Sequence, residues 1–398
     1  MGARFLAGAG VSEPNATPFG CPHFPSCPGC PWVGRPYADQ LASKRERVLA
    51  ALAATLPNAS PALVDAVMPA SAPSGYRVQT KLMVGGTRRL VLGLYAPGSH
   101  RILDASGCPL HDALLQRTIP AVRDALVEER VPVHGRGRSG LRYVLVRASL
   151  AEQRVLVTLV SSAAQLPNAG RVARRLRTTV PLAGLLVNEN TTAGNVILGP
   201  VTERVWGEAD LRERYGDVTI AAGPTAFVQA NTRMAATIYA AIADAAELDG
   251  RRNVLDLYCG VGGIALTLAP RAAAVLGVEE IDPAVVAARA NAKRAGATHA
   301  RFVAGRVEDV IAMVTERVDV VTLNPPRKGC APGVAERVAG LAAARILYLS
   351  CHPESFARDA AVLVGRGYVL ERVRPFDLLP QTEHVETLGI FRRDSEAV

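Results

Sequence analysis

Two residues near the carboxyl end of the chain combine a nucleophile with a base. Cys351 follows the apolar run RILYLS, and Glu386 opens the run ETLGIF. A thiolate that adds to carbon 6 of uracil makes carbon 5 nucleophilic, and a carboxylate can later remove the carbon-5 proton. The pair suits covalent catalysis followed by general-base catalysis. The alternatives are a buried, inert cysteine and a surface carboxylate on a strand.

A glycine-rich loop follows an apolar run in residues 253–266, NVLDLYCGVGGIAL. Gly260 and Gly262 would let the backbone turn tightly and approach a ligand closely. Glu279 ends the next apolar run, 23 residues after Asp256, where a carboxylate can bind both hydroxyls of a ribose. The order of strand, loop, helix, strand and acid predicts a site for a nucleoside cofactor.

The loop alone fits both dinucleotide-binding proteins and S-adenosylmethionine-dependent methyltransferases, and a turn without a ligand is the third possibility. Asp256 favours the methyltransferases, in which a second acid faces the methionine portion of the cofactor. Asn324-Pro325-Pro326 resembles the motif of enzymes that methylate exocyclic amines. That motif continues with an aromatic residue, whereas Arg327 follows here, which weakens the amine interpretation.

Four cysteines have the spacing of a metal or cluster site. Cys21, Cys27 and Cys30 form the pattern C-x5-C-x2-C, and Cys108 lies 78 residues after Cys30. The first residues lack a signal-peptide pattern, so we expect a cytoplasmic protein with reduced thiols. Three clustered thiolates and a distant one can bind zinc or an iron–sulfur cluster, and spacing does not distinguish them.

The elements that must position these residues fall into two regions. Residues 1–225 combine an irregular Cys- and Pro-rich segment, a helix over about 38–56 and many strand-like runs. From residue 226 to 398, apolar runs alternate with Ala-rich helical segments, which predicts a parallel, doubly wound sheet. We therefore predict an α/β protein with a mixed α+β N-terminal domain and a Rossmann-like C-terminal domain. The helix at 38–56 is expected to pack on the second domain.

Composition indicates a globular protein with a polyanionic partner. The 398 residues are 49% hydrophobic and 20% charged, with a net charge of +9. A basic surface suits RNA through phosphate contacts, although a solvated surface explains any single basic residue equally well. We expect no membrane span, because apolar runs of about 18 residues are lacking. We also expect a monomer. The candidate phosphate contacts in the strand-rich region are Arg77, Lys81, Arg88, Arg89, Arg136, Arg138, Arg142 and Arg147.

Together the motifs resemble the bacterial RNA 5-methyluridine methyltransferase family, from Cys21 to about Phe391. The resemblance is carried by CPHFPSCPGC, YRVQTKLMV, FVQANTRMA, DLYCGVGG, NPPRKG, YLSCHPESFARD and LPQTEHVETLGIF. It implies a class I, S-adenosylmethionine-dependent catalytic domain. The iron–sulfur branch that acts on 23S rRNA is the most similar, which implies an N-terminal iron–sulfur and RNA-binding domain.

The resemblance also implies roles for individual residues. It makes Cys351 the nucleophile and Glu386 the base, and it assigns a 4Fe-4S cluster to Cys21, Cys27, Cys30 and Cys108. The implied cofactor contacts are Gln229, Asp256, Tyr258, Gly260, Gly262, Glu279 and Asn324. The expected substrate contacts are Phe227, Arg77, Lys81 and Arg142. Phe227 would stack near a uridine flipped out of its helix, with packing in the core as the alternative.

Three residues depart from the usual family pattern. Asn324 replaces an Asp before the diproline, Gln381 stands where His is frequent, and Arg306 stands where a polar or acidic side chain usually contacts adenine. The first departure resembles the branch without an N-terminal oligonucleotide-binding barrel, which modifies the domain II hairpin of 23S rRNA. We therefore expect 23S rRNA as the substrate, with a tRNA uridine as the alternative. An amine methyltransferase and a non-catalytic RNA-binding module are the remaining hypotheses.

Overall fold

A computed structural model describes residues 20–86, 89–135, 137–192 and 196–394. Arg88 and Arg136, two of the predicted phosphate contacts, lie outside the described residues. The helices are α1 (Tyr37–Thr55), α2 (Ala113–Glu128), α3 (Ala169–Thr179), α4 (Thr232–Ala245), α5 (Gly263–Leu268), α6 (Asp282–Arg294), α7 (Val307–Val310), α8 (Val334–Gly340) and α9 (Pro353–Val364).

The strands form two seven-stranded sheets and one hairpin. They are β1 (Gln79–Gly85), β2 (Val91–Tyr95), β3 (Ile102–Asp104), β4 (Leu141–Ser149), β5 (Arg154–Ser161), β6 (Leu182–Glu189), β7 (Val201–Gly207), β8 (Leu211–Tyr215), β9 (Val218–Ala222), β10 (Asn253–Leu257), β11 (Ala274–Glu279), β12 (Ala300–Ala304), β13 (Val320–Leu323), β14 (Arg345–Ser350), β15 (Tyr368–Phe376) and β16 (Glu386–Arg393).

The C-terminal sheet has the order β12-β11-β10-β13-β14-β16-β15. The strands β10 to β14 are parallel, which confirms the predicted doubly wound architecture. The order reverses between β10 and β13, and the crevice above such a reversal is where open α/β sheets bind ligands. The prediction that the last strand joins a wholly parallel sheet was wrong. Strand β16 runs antiparallel to β14 because β15 and β16 form a terminal antiparallel pair.

The N-terminal sheet has the order β3-β2-β1-β4-β5-β6-β7. Its pairs are antiparallel except β5 and β6, which are parallel because α3 crosses between them. Helices α2 and α3 bury one face of this sheet in a single apolar core. The β8–β9 hairpin covers part of the opposite face, where Leu211 packs on Leu156 and Leu186.

Helix α1 belongs to the core of the C-terminal sheet although it comes early in the chain. Val48 and Leu52 pack into the apolar layer that also contains α8 and α9. Arg47 binds Glu354 of α9, and the Thr55 hydroxyl donates to the Ala357 carbonyl at 3.1 Å. The opposite face of the sheet is covered by α4, α5 and α6. Within the described ranges, the helices are too short or too polar to cross a membrane.

Candidate active site

A cavity of about 1270 Å³ opens at the carboxyl ends of the parallel strands, above the reversal of strand order. Its wall is built from the loops after β10, β11, β13 and β14 and from the start of β16. The sheet therefore gathers residues that are distant in sequence. Eight predicted site residues line this one cavity: Phe227, Gln229, Tyr258, Gly260, Glu279, Asn324, Cys351 and Glu386.

The glycine loop begins and ends in left-handed backbone conformations. Gly260 has φ 55° and Gly262 has φ 89°, and a Cβ atom on Gly262 would lie 3.1 Å from the Phe302 ring. Glycine is therefore needed at Gly262 for both conformation and space. Tyr258 also has a positive φ, 61°, and its hydroxyl is buried without a hydrogen-bond partner.

Glu279 is fixed beside this loop at the end of β11. One carboxylate oxygen accepts a hydrogen bond from the Gly260 N–H at 3.0 Å, and the other accepts from the Ile281 N–H at 3.0 Å. Each oxygen keeps a second lone pair, which can accept from a hydroxyl in the cavity. This geometry suits the two adjacent hydroxyls of a ribose.

Asp256 does not line the cavity, so the structure does not support the prediction that it faces the methionine portion. Its side chain is fully buried beneath the loop, where it accepts from the Ala265 N–H at 3.0 Å and the Thr322 hydroxyl at 2.6 Å. Burial raises its pKa to about 7. Since both oxygens bind neighbouring elements, Asp256 anchors the loop and α5 to β13. Gly262 shapes the turn and is likewise absent from the wall.

The segment that follows β12, the next strand after Glu279, supplies another side of the cavity. Arg306 is exposed and bound to Glu308, and the wall residues here are Val307 and Glu308. Sequence reasoning considered Arg306 and missed Glu308. The sequence signal for Glu308 was its place among the acidic residues of the first turn of α7, where a negative charge is favourable at the helix N-terminus.

The cavity fits S-adenosylmethionine by its donors and acceptors. Glu279 offers two acceptors, and the turn at Gly260 lets the backbone approach a ligand closely. Gln229 is buried and lines the same wall, as does Asn324 at the end of β13. A nucleoside with a charged amino-acid tail matches this mixture of polar groups and apolar surface.

Cys351 lies at the turn between β14 and α9 and is half-buried. Burial and the nearby Glu386 raise the pKa of its thiol, whereas the positive charge of Arg327 lowers it. The next residue, His352, caps α9 by accepting a hydrogen bond from the Ser355 N–H. This cap fixes the backbone that carries the thiol at the cavity wall.

Glu386 opens β16 and is only 4% exposed. Burial raises its pKa to about 8. A carboxyl group with this pKa is a stronger base than an exposed glutamate, and it titrates close to neutral pH. The cavity therefore brings together a thiol and a carboxyl group with a raised pKa at the carboxyl edge of the sheet.

Arg327 and His384 are functional candidates that sequence reasoning left without a role. Arg327 was noted only because it replaces an aromatic residue. Its guanidinium donates to Nδ1 of His384 at 2.9 Å, and both side chains line the cavity beside Cys351. Burial and Arg327 lower the pKa of His384, so the imidazole is neutral and can accept this hydrogen bond.

Phe227 stands at the cavity mouth with 73% of its surface exposed. The alternative that it packs in the core was therefore wrong. The segment that presents it is held by Gln79, which donates to the Val228 carbonyl at 2.6 Å, and by Arg147, which donates to the Ala226 carbonyl at 2.9 Å. An exposed aromatic ring on a braced loop can stack on a base.

Two of the residues predicted to contact RNA phosphates, Arg142 and Arg147, bind carbonyl groups of the protein instead. Arg147 donates to three carbonyl groups within residues 222–226, and Arg142 donates to the Asn190 and Thr192 carbonyls. Both are loop braces because the surrounding backbone turns expose carbonyls that need donors. Lys81 is exposed beside the Phe227 segment and Arg138 is exposed, whereas Arg89 approaches Asp104 at 3.9 Å.

The predicted cluster cysteines converge on a second cavity, of about 280 Å³. Cys27, Cys30 and Cys108 line it, and Cys21 is close enough that its charge raises the pKa of Cys30 and Cys108. All four thiols are free and half-buried. In the part of the chain that the structure describes, groups of three or more Cys, His, Asp or Glu arranged to hold a metal ion are absent. The 4Fe-4S prediction is therefore not confirmed.

Arg77 also lines the cysteine cavity, so the prediction that it contacts RNA is not supported. Its backbone pairs with the 110–112 segment, which directs it toward the thiols. Its positive charge lowers the pKa of Cys30, although burial dominates and raises that pKa to about 12. A cation beside four thiols offsets the negative charge that the deprotonated thiols would carry.

The strand order, the glycine loop beside the Glu279 carboxylate and the cavity at the sheet edge define a class I methyltransferase fold. The crystal structure of Pyrococcus abyssi tRNA (uracil-54, C5)-methyltransferase in complex with S-adenosyl-L-homocysteine superposes with a TM-score of 0.77. The two chains are 25% identical, and the match covers 92% of this chain and 86% of that one.

The sequence pattern of the tRNA (Uracil-5-)-methyltransferase family matches residues 217–394. An uncharacterized RNA methyltransferase of Geobacter sulfurreducens is 38% identical over 380 residues, which cover 93% of this chain and 76% of the relative. A second, from Nitratidesulfovibrio vulgaris, is 36% identical over 408 residues, covering 97% and 85%. The chain belongs to the RNA uracil-5-methyltransferase family and is an S-adenosylmethionine-dependent enzyme.

Proposed function

We propose that the chain methylates carbon 5 of a uridine in 23S rRNA, with Cys351 as nucleophile and Glu386 as base. The observation that carries the proposal is that both side chains line the cavity that also holds the Glu279 loop. A thiol and a high-pKa carboxyl group within one partly apolar cleft match the two proton transfers that carbon-5 methylation requires.

Cys351 acts first, as a thiolate. Its proton leaves to solvent, and Arg327 stabilises the resulting negative charge because the guanidinium lowers the pKa of this thiol. The sulfur then bonds to carbon 6 of uracil, and the electron pair of the ring double bond moves onto carbon 5 and the carbonyl oxygen at position 4. Arg327 is itself bound to His384, which restricts its position.

S-adenosylmethionine, when bound, would supply the methyl group: its methyl–sulfur bond breaks as carbon 5 bonds to the methyl carbon, and S-adenosylhomocysteine leaves. Glu279 would bind the ribose of the bound donor, while Tyr258, Asn324 and Gln229 border the same space. Asp256 contributes only indirectly, by holding the loop. Correct placement of the two reacting carbons is the main contribution of these residues to rate.

Glu386 completes the reaction by removing the remaining proton from carbon 5. The carbon-5 electron pair re-forms the ring double bond, and the bond between carbon 6 and the Cys351 sulfur breaks. The burial that raises the pKa of Glu386 to about 8 makes its carboxylate a better acceptor for this proton. The target base must leave its stack, and Phe227 provides an exposed ring on which a base can stack.

The proposal includes a 4Fe-4S cluster bound by Cys21, Cys27, Cys30 and Cys108. It is supported by the convergence of four free thiols around one cavity beside the cation of Arg77. The Gly29 N–H points at the Cys27 sulfur at 3.4 Å, as backbone amides do around cluster sulfurs. A bound cluster would join the two chain segments, which already touch where His23 meets the Ser106 carbonyl at 3.0 Å.

A tRNA uridine is the second candidate substrate. It is favoured by the likeness to the Pyrococcus abyssi enzyme, which is a tRNA (uracil-54, C5)-methyltransferase. The assignment to 23S rRNA depends on the N-terminal cysteine set and on Asn324 before the diproline.

The test is release of tritium from carbon 5 of uridine. Protein-free 23S rRNA and tRNA, both labelled at carbon 5, are incubated with the protein and S-adenosylmethionine beside a Cys351→Ala control. We expect cofactor-dependent release from 23S rRNA that the substitution abolishes. Release from tRNA alone would replace the substrate, and release that survives Cys351→Ala would overturn the mechanism.

A further inference from the structure

We propose that a buried polar bracket between α1 and residues 377–381 positions Glu386 for proton removal. The bracket consists of Gln40, Lys44, Asp377 and Gln381. These are positioning residues, because they do not contact the reacting atoms. The inference rests on the proposed function, since it assumes that Glu386 is the base.

The first half of the bracket is an ion pair. Lys44 Nζ lies 2.5 Å from Asp377 Oδ1, and both side chains are 0% exposed. Lys44 also donates to the Leu379 carbonyl at 3.1 Å. The second carboxylate oxygen of Asp377 accepts from the Tyr37 hydroxyl at 2.8 Å, and that hydroxyl accepts from the Ala70 N–H at 2.9 Å. Every oxygen of the carboxylate is thus bound to a fixed element.

The second half is a pair of hydrogen bonds that join the side-chain amide of Gln40 to the side chain and the backbone of Gln381. Gln40 donates to Oε1 of Gln381 at 2.9 Å, and the Gln381 backbone N–H donates to Oε1 of Gln40 at 3.0 Å. Gln381 has φ 69°, a conformation that L residues rarely adopt. Such a conformation persists where surrounding contacts enforce it. The glutamine that replaces the frequent histidine of the family therefore has a specific partner in this chain.

The bracket acts on the segment that delivers the base. Residues 377–385 connect β15 to β16, and Glu386 is the first residue after them. His384, the partner of Arg327, lies in the same connection, and its N–H donates to the Thr382 hydroxyl at 3.3 Å. A nine-residue connection has many possible conformations, and the hydrogen bonds between α1 and residues 377–381 hold it in one of them.

The energetics favour a positioning role over a stabilising one. A buried ion pair gains little net stability, because desolvating two charges offsets their attraction, and an apolar pair of similar volume is often as stable. Directional hydrogen bonds, however, fix geometry in a way that apolar contact does not. Displacement of a catalytic group by about 1 Å can lower a rate by about 10²-fold.

The experiment compares wild type with Gln40→Leu, with the double variant Lys44→Met/Asp377→Leu and with Glu386→Gln. Each protein completes a single turnover with the RNA that wild type methylates at carbon 5 of uridine and with methyl-labelled S-adenosylmethionine. Denaturing electrophoresis separates methylated RNA from protein-linked, methylated RNA. The matched control is Arg45→Gln, because Arg45 lies on the same helix but binds the Val64 and Asp65 carbonyls. Circular dichroism and cofactor affinity are measured on every variant.

We expect both bracket variants to accumulate the methylated adduct, as Glu386→Gln does, with the ratio of adduct to free product raised about 10²-fold. Arg45→Gln should retain the wild-type ratio. A wild-type ratio in folded Gln40→Leu overturns the inference, and so does slow turnover without adduct. If Glu386→Gln itself forms no adduct while wild type methylates, the proposed function fails instead. Gln40→Leu alone decides the matter if the double variant does not fold.

Discussion

The cavity lined by Glu279, Cys351 and Glu386, called the catalytic cavity below, and the cysteine cavity are built in different ways. Strand ends of a parallel sheet place Glu279, Asn324 and Cys351 around the catalytic cavity, so its geometry follows from the strand register. Loops carry all four cysteines of the second cavity, and only turns and a few hydrogen bonds fix them. The sheet preorganises the first site, whereas the second gains its final geometry from whatever the thiols bind.

The two cavities also differ in how charge is handled. In the catalytic cavity, burial raises the pKa of Glu386 to about 8, which lets this carboxyl group exchange protons near neutral pH. The positive charge of Arg327 opposes the rise in the pKa of the Cys351 thiol that burial and Glu386 cause. In the cysteine cavity, burial raises the pKa of Cys30 to about 12 despite Arg77. Thiols in that state stay protonated until a cation replaces the proton, which suits ligands and not nucleophiles.

Cys351→Ala should have the largest effect on catalysis. We expect single-turnover methylation to fall by on the order of 10⁴-fold or more, because the alternative to covalent addition is attack by unactivated uracil. The matched control is Cys330→Ala, which removes a buried thiol that also borders the cavity and is bound to neither RNA nor cofactor in the mechanism. Activity equal to that of the control would show that Cys351 is not the nucleophile.

Glu386→Gln should slow proton removal by about 10²- to 10⁴-fold, the usual range for a general base. The amide has the same shape but cannot accept the carbon-5 proton. The methylated adduct should therefore form at its normal rate and decay slowly, which rapid-quench electrophoresis can follow. An equal slowing of formation and decay would contradict the assignment of Glu386 to the last step.

Adduct decay in wild type should depend on pH through Glu386. Its pKa is raised from 4.5 to about 8, and only the ionised form accepts a proton. Decay should thus slow about ten-fold for each pH unit below the pKa and level off above it. A pH jump after adduct formation measures this step separately from thiolate formation. A decay rate that is constant from pH 6 to pH 8 would show that the carboxyl group does not titrate there.

Phe227→Ala should lower kcat/KM for RNA by about 5- to 150-fold, the equivalent of a stacking contact worth about 1–3 kcal/mol. Phe227→Tyr keeps an aromatic face and should retain most of the activity. Cofactor affinity, measured by calorimetry, should not change in either variant. Equal losses for Ala and Tyr would argue against stacking.

Cys108→Ser should have the smallest effect on the chemical step, within a few-fold, because the cysteine cavity is separate from the reacting groups. It should nevertheless abolish iron and sulfide binding in protein purified without oxygen, and lower the unfolding temperature. Cys259→Ser, at a buried cysteine outside the set, is the control for thiol removal. Stoichiometric zinc in place of iron would change the identity of the bound group, and wild-type metal content in Cys108→Ser would overturn the site.

The sequence predicted the catalytic cavity well because its signals are local. A glycine loop after a strand, an acid at the next strand end and a cysteine at another fix positions around one sheet edge. The hydrogen bonds of Asp256 were not predicted, because alternation within a strand does not tell whether a carboxylate faces a ligand or supports the loop beneath it. Its two partners, Ala265 and Thr322, are 9 and 66 positions away.

Other features depend on contacts that no local pattern encodes. Arg147 and Arg77 have the composition of RNA-binding residues, yet one braces a loop and the other faces thiols. The buried Lys44 is equally invisible, because its partner Asp377 lies 333 positions away. Helix α1 was expected to pack on the second domain, and Val48 and Leu52 do lie in its core, but the pattern of the helix does not show that Lys44 is buried.

The most direct test of the central claim is to identify the amino acid that becomes bonded to the RNA. Glu386→Gln protein is incubated with 23S rRNA and S-adenosylmethionine, digested with nuclease and protease, and analysed by tandem mass spectrometry. We predict a single adduct, a methylated uridine attached to the sulfur of Cys351. An adduct on another residue, or methylated RNA formed without any adduct, would contradict covalent catalysis by this cysteine.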